Sequence, residues 1–267
     1  MQSYTGDLRK MGTRLGDPVQ YKLALHGSEI LAMNTYIGQP ISIAFSGDIF
    51  CIRCGRKTEK SFGQGYCYPC FASAPESSPC IINPERCEGH KGIGRDIGWE
   101  RMNHVKPHVV YLAISSGLKV GVTREDQVPT RWIDQGAFQA IILAETPYRQ
   151  LAGEIEVSLK AHLSDKTSWQ RMLKNDIPEG IDLLAEKARV GQLLSEDHQD
   201  YISDEDHIQE IHYPVTEYPA KVKSVNLDKL PEISGTLLGI KGQYLMLDEG
   251  RVFNVRRHSG YRVNLSI

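Results

Sequence analysis

The chain has 267 residues, 40% of them hydrophobic and 24% charged, with a net charge of −2. That length allows one large or two smaller domains whose cores do not need cross-links. Near-neutral charge excludes a protein that coats nucleic acid by bulk charge and leaves room only for local patches.

No run of about 18 apolar residues occurs, so no membrane-spanning helix is predicted and no membrane partner is expected. The opening stretch, MQSYTGDLRKMGTRLGD, lacks the apolar region of a secretory signal, and a cytoplasmic location is expected. Six cysteines in a reducing compartment read as metal ligands or free thiols rather than disulfides.

Residues 1–50 alternate apolar and polar in short stretches, VQYKLAL and PISIAFSGDIF, which predicts strands. Residues 51–104 form a cysteine-rich region. Cys51, Cys54, Cys67 and Cys70 are two CxxC pairs, the spacing of a four-thiolate zinc site. Four thiolates close the shell of a tetrahedral ion, so such a zinc is structural and not hydrolytic. A thioredoxin-like pair is the alternative, but no strand–CxxC–helix context accompanies it. Gly55, Gly63 and Gly65 suit knuckle turns. Arg53, Arg56, Lys57 and Lys60, with Phe62, Tyr66 and Tyr68, can touch phosphates and stack bases, or simply form a solvated knuckle over packed aromatics. Cys80, Cys87 and His90 form a second, incomplete set. His104 or His108 is the nearest fourth donor.

From 105 to 175 the pattern predicts an α+β domain. HVVYLAI and LKVGVT flank Ser115-Ser116-Gly117 as a hairpin, and VPTRWIDQ is a short helix. FQAIILAET is a buried strand. YRQLAGEIEVSLKAHL is a helix with Leu151, Ala152, Ile155, Leu159 and Leu163 on one stripe. Asp165 is expected to cap the next helix, beside Trp169, or to approach a metal. Residues 176–215 read as a helical and acidic linker. From Glu196 to Glu210 there are seven acids and no Lys or Arg, which is either a solvated face or a surface for a basic protein partner. Residues 216–267 are again strands and tight turns, and from Arg251 to Arg262 there are four arginines and no acid. The two terminal β segments are expected to pack together as a small barrel.

The run VVYLAISSGLKVGVTREDQVPTRW, followed by a helix bearing an acid, resembles the GIY-YIG nuclease core over about 60 residues, in its variant form with lysine in the second motif. The longer run CGRKTEKSFGQGYCYPCF…PCIINPE…KVGVTR…RWIDQGA resembles an uncharacterised bacterial family that joins cysteine knuckles to such a core. The resemblance implies a ββαβα core carrying a zinc-knuckle insertion. It assigns catalytic positions to Tyr111, Lys119, Gly121, Arg131 and Glu156, with Mg²⁺ or Mn²⁺ on the glutamate. The types suit the chemistry: a cation offsets phosphoryl charge, and a carboxylate-bound metal polarises the phosphate. Helix geometry selects Glu156 over Glu154. At about 100° per residue, Glu156 borders the apolar stripe and Glu154 points to solvent. Lys119 replaces the second motif's tyrosine, and Val109 and Val110 replace the first motif's glycine and isoleucine.

Three functions fit these observations. One is a metal-dependent DNA or RNA phosphodiesterase, gripping its substrate through the knuckle and through Arg256 and Arg257. Another is a nucleic-acid-binding module that has lost cleavage. The third is a protein-interaction scaffold using residues 196–210.

Overall fold

The computed structural model describes residues 2–26, 30–163 and 168–267. It divides into two compact units, one made of Met1–Ala72, Ile133–Gly136 and Ile211–Ile267, the other of Ser73–Trp132 and Ala137–Glu210. In chain order the elements are β1 (Ser3–Leu8), β2 (Gly12–Arg14), β3 (Gln20–His26), β4 (Ile30–Ala32), β5 (Pro40–Phe50), β6 (Lys57–Thr58), α1 (Tyr68–Ser73), α2 (Ile97–Asn103), β7 (His108–Ile114), β8 (Leu118–Arg124), α3 (Thr130–Asp134), β9 (Gln139–Thr146), α4 (Arg149–Lys160), α5 (Trp169–Leu173), α6 (Leu183–Gly191), α7 (Glu196–Gln199), β10 (Gln209–Glu210), β11 (Lys223–Val225), β12 (Glu232–Lys241), β13 (Tyr244–Leu247), β14 (Arg251–Asn254) and β15 (Tyr261–Ser266). The protein is mixed α+β. Among the described residues no helix is long and apolar enough to cross a membrane.

The first unit is one large sheet, ordered β11-β14-β13-β12-β5-β15-β1-β3-β2, with β4 on β3 and β6 on β5. Both chain ends therefore meet in it: β1 pairs with β15 from Ser3↔Ser266 to Asp7↔Arg262, and β5 pairs with both β15 and β12. Strict alternation drives this packing. In β3, Tyr21, Leu23 and Leu25 are buried while Lys22 and His26 are exposed. The expected small barrel is corrected to an open sheet. Closure requires the two edges to pair, and the edges here are the three-residue strands β2 and β11, which no ladder joins among the described residues.

Lys241, at the end of β12, is only 1% exposed, with Nζ lying 5.2 and 5.4 Å from the ring centroids of Tyr213 and Tyr218. Burial pushes its ammonium down to about 8. An unfolded lysine holds its proton to about 10.4, so between the two values the unfolded chain binds more protons and stability rises with pH. Below 8 both states are protonated and the burial penalty stands in full. Above about 10, Tyr21 and Tyr213, pushed up by burial, reverse the trend. In urea denaturation the wild type is therefore expected to gain about 2 kcal/mol relative to Lys241→Met between pH 8 and 10, the other titrating groups being common to both. A difference between wild type and Lys241→Met that stays flat or falls over that interval contradicts the assignment.

The second unit is built on the sheet β10-β9-β7-β8. Ile114↔Leu118 closes the hairpin around Ser115–Gly117. All seven residues of β7 are buried, because both faces of this strand are covered. Val110, Leu112 and Ile114 pack with Ala152, Ile155 and Leu159 of α4 and with Leu183 and Val190 of α6. Residues 196–210 lie along this unit. Ser203 N donates to Leu143 O, β10 pairs with β9, and Asp206 pairs with the buried Lys187 at 2.9 Å. Asp165 lies outside the described residues. The cap of α5 is Ser168, which accepts from Arg171 N.

Candidate metal centres and the strand β7 site

Cys51 follows β5 directly. The β5–β6 hairpin folds the chain back, with Cys51 N donating to Arg56 O and Gly55 N to Cys51 O, both at 2.9 Å. A second loop closes through reciprocal Phe62–Tyr66 bonds of 2.9 Å. Gly65 is needed in that loop twice over: its φ is +132°, and a Cβ there would meet Ile52 Cγ2 at 2.7 Å. Cys67 then leads into α1, and Cys70 sits three residues on.

The four sulfurs lie within 4.8 Å of one another, with Cys54 and Cys67 Sγ 3.8 Å apart. Zn–S bonds of about 2.3 Å give a tetrahedron with edges of about 3.8 Å. The cluster can hold a zinc ion. Burial pushes the Cys51 thiol up, but N–H groups of Cys54, Cys67 and Arg53 outweigh it and hold the thiol at about 6. Cys70 is pushed up to about 12 by desolvation and the neighbouring thiols. Four sulfurs this close cannot all be thiolates without a cation, and a divalent ion removes the conflict.

A second cluster joins Cys80 and Cys87, from the turns before α2, with Glu100 and His104 of that helix's end. All four are buried, with ligand atoms within 4.8 Å of one another. Asp96 caps α2 by accepting from Trp99 N at 2.9 Å, and the i,i+4 spacing puts Glu100 and His104 on one face. His104 Nδ1 lies 3.4 Å from Cys87 Sγ and 3.9 Å from Cys80 Sγ, and it contacts Glu100 Oε2. A bond from Cys87, aided by His104 and Ser78, holds the Cys80 thiol down at about 4, while the same bond and burial push Cys87 up. Burial raises Glu100. Arg149, opening α4, donates twice to Cys80 O, at 3.0 and 3.1 Å, and once to Ile81 O at 3.0 Å.

The structure brings Cys80, Cys87 and His104 together but leaves His90 out, stacked on Tyr148 with ring centroids 4.6 Å apart. His108 is also outside. It is fully buried, its Nδ1 is 2.8 Å from Lys106 O, and burial pushes it down to about 4. Glu100 escaped the sequence reading. Its signal was the ERMNH spacing on a capped helix, which aims a carboxylate and an imidazole at one point.

Tyr111 is fully buried in β7, directly across from Gly121 of β8. A Cβ on Gly121 would lie 2.6 Å from the Tyr111 hydroxyl, so the glycine makes room for the phenol. The ring meets Trp132 edge-on at 5.9 Å. Lys119 is opposite Ala113 and half-buried. Glu156 is half-buried on α4 and paired with Lys160 at 3.4 Å, while Glu154 is exposed. Burial raises the Glu156 carboxyl, with Lys160, Glu85 and Arg149 in its field. Arg131 is half-buried and acts on Arg149. Tyr111 alternates with Val110 and Leu112, whose side chains meet α4. Tyr111 and α4 are thus on opposite faces of β7.

Residues 38–263 match a family described as "Protein of unknown function (DUF2797)". The chain belongs to this family. The DUF2797 match runs across both cysteine clusters and all of β7 through α4. No curated protein and no solved structure matches the chain.

Proposed function

We propose that this DUF2797 protein is a zinc-stabilised nucleic-acid-binding protein in which a GIY-YIG-like core serves as scaffold and does not cleave. The observation that carries this reading is the surface of the first cluster. Arg53, Arg56, Lys57 and Lys60 are all exposed around the thiolates, and Tyr68 is 63% exposed beside Phe62. Lys60 lies over the Phe62 ring at 5.4 Å, and Lys57 pairs with Asp48 at 2.6 Å. The turn carrying Arg256 and Arg257 belongs to the same end of the sheet, since Gly260 presses on Phe50 O and approaches Gly65 O. Clustered cations beside an exposed aromatic offer phosphate contacts and a stacking face.

The phosphodiesterase reading is weaker on two observations. Tyr111 has no exposed surface to offer a phosphate, and it faces away from the helix bearing Glu156. The scaffold reading is weaker because Asp206 is already engaged by Lys187 within the same unit.

The test is fluorescence anisotropy with labelled single-stranded and duplex DNA and RNA. About four phosphates neutralised predicts a fall in affinity of roughly 50-fold for single strands to 150-fold for duplex between 50 and 200 mM salt. The triple reversal Arg53→Glu, Arg56→Glu, Lys60→Glu is expected to abolish binding while keeping zinc. Salt-independent binding, or none, overturns the proposal. Cleavage on adding Mg²⁺ or Mn²⁺, lost in Glu156→Ala, replaces it with the nuclease.

A further inference from the structure

We propose that Cys80, Cys87, Glu100 and His104 hold a second metal ion, a tetrahedral divalent cation of the zinc class, and that this ion fixes the turns before α2 against α4. The inference does not depend on nucleic-acid binding.

The donors come from two separate segments of the chain that converge on one point. Cys80 and Cys87 lie on successive single turns, Pro79–Ile81 and the end of Pro84–Arg86, while Glu100 and His104 lie on α2. Zn–S of about 2.3 Å and Zn–N of about 2.0 Å at a tetrahedral angle give an S–N edge of about 3.5 Å. The two edges here are 3.4 and 3.9 Å. Glu100 Oε2 is buried and has no hydrogen-bond partner beyond its contact with the imidazole nitrogen, so it lies where a shared ligand position belongs. A buried carboxylate beside two buried thiols is costly unless a cation is present.

Charge supports the same composition. Two thiolates and a carboxylate exceed a divalent cation by one negative charge. The guanidinium of Arg149, half-buried and held by Cys80 O, supplies the compensating positive charge next to the site. Arg149 is a positioning residue here: it ties the first residue of α4 to the metal-bearing turn.

The four protein donors are all buried and would fill a tetrahedral shell. The role assigned is therefore structural. It holds a segment rich in short turns, with Ile82 82% and Ile93 55% exposed, that buries little apolar surface of its own.

Native mass spectrometry and elemental analysis of the full chain decide the matter. The wild type is expected to carry two zinc ions. His104→Ala and Glu100→Gln are expected to carry one, and Cys54→Ser is expected to lose the other ion and keep this one. Cobalt loaded into Cys54→Ser should show a thiolate charge-transfer band about half as intense as that of cobalt loaded into His104→Ala, two sulfurs against four. If His104→Ala does not fold, the wild-type count still stands as the test. One zinc in the wild type, a disulfide mass shift at Cys80–Cys87, or two zincs retained in Glu100→Gln and His104→Ala overturns the proposal.

Discussion

Cys67→Ser is expected to release the knuckle zinc and unfold residues 51–71, a loss of several kcal/mol that leaves the large sheet in place. Cys67 is 4% exposed and bridges the two loops: its sulfur lies 3.8 Å from Cys54, and its carbonyl accepts from Phe71 N. Regular structure in this stretch is limited to the two residues of β6 and the start of α1. Its aromatics remain partly outside, with Tyr68 63% and Phe71 36% exposed. Such a segment buries little apolar surface to hold it, and a zinc ion on the four sulfurs would supply the missing constraint. Structural zinc contributes about 10–16 kcal/mol in isolated zinc-finger peptides at neutral pH, so losing the ion on removal of one ligand is expected to cost more than any single contact in this segment. The ladders joining β5 to β15 and β12 lie outside the knuckle and are expected to survive. Limited proteolysis with zinc analysis reads this directly: new cuts confined to the knuckle in Cys67→Ser, and the same cuts in chelated wild type. Full protease resistance without zinc contradicts it.

The knuckle was legible from sequence because its determinants are local. Two CxxC pairs constrain a single ion whatever the rest of the chain does. The second cluster was only partly legible. His90 is nearest to Cys87 in the chain, yet a single turn carries it away to stack on Tyr148, while His104 comes back on α2. Glu100 looks like any other helical acid until the helix is docked.

Periodicity located β7 through α4, since alternation and the 3.6-residue stripe are properties of each segment alone. Tyr111 shows the limit. Its strand was clear, but the face it occupies depends on which residues α4 covers, and those turned out to be Val110 and Leu112. The barrel expectation failed for a related reason. That β1 and β15 are neighbours follows from apolar segments at both chain ends, but closure depends on the edge strands β2 and β11, which are too short to announce a partner.

Gly153→Ala is expected to destabilise the second unit by about 3 kcal/mol, although alanine is the better helix former by about 1 kcal/mol. Gly153 lies inside α4 and is buried. A Cβ there would come within 2.8 Å of Glu85 Cα, and closer still to Glu85 N and Pro84 C. All three are backbone atoms, so no rotamer change relieves the clash. Either the helix or the Pro84–Arg86 turn must shift, and neither is free to do so. The helix is held by Ala152, Ile155 and Leu159 in the core, and the neighbouring turn by Arg149 on Cys80 O. For a unit of this size the penalty corresponds to a drop of roughly 10 °C in Tm. An unchanged or raised Tm contradicts the packing. Cys87 follows that same turn, so the substitution is also expected to weaken metal retention at Cys80, Cys87, Glu100 and His104 while the knuckle ion stays bound. A helix–turn contact that excludes a single methyl group and the proposed metal site at the end of the turn would then act as one device: a bound ion would set where the turn lies, and the missing side chain lets α4 approach it.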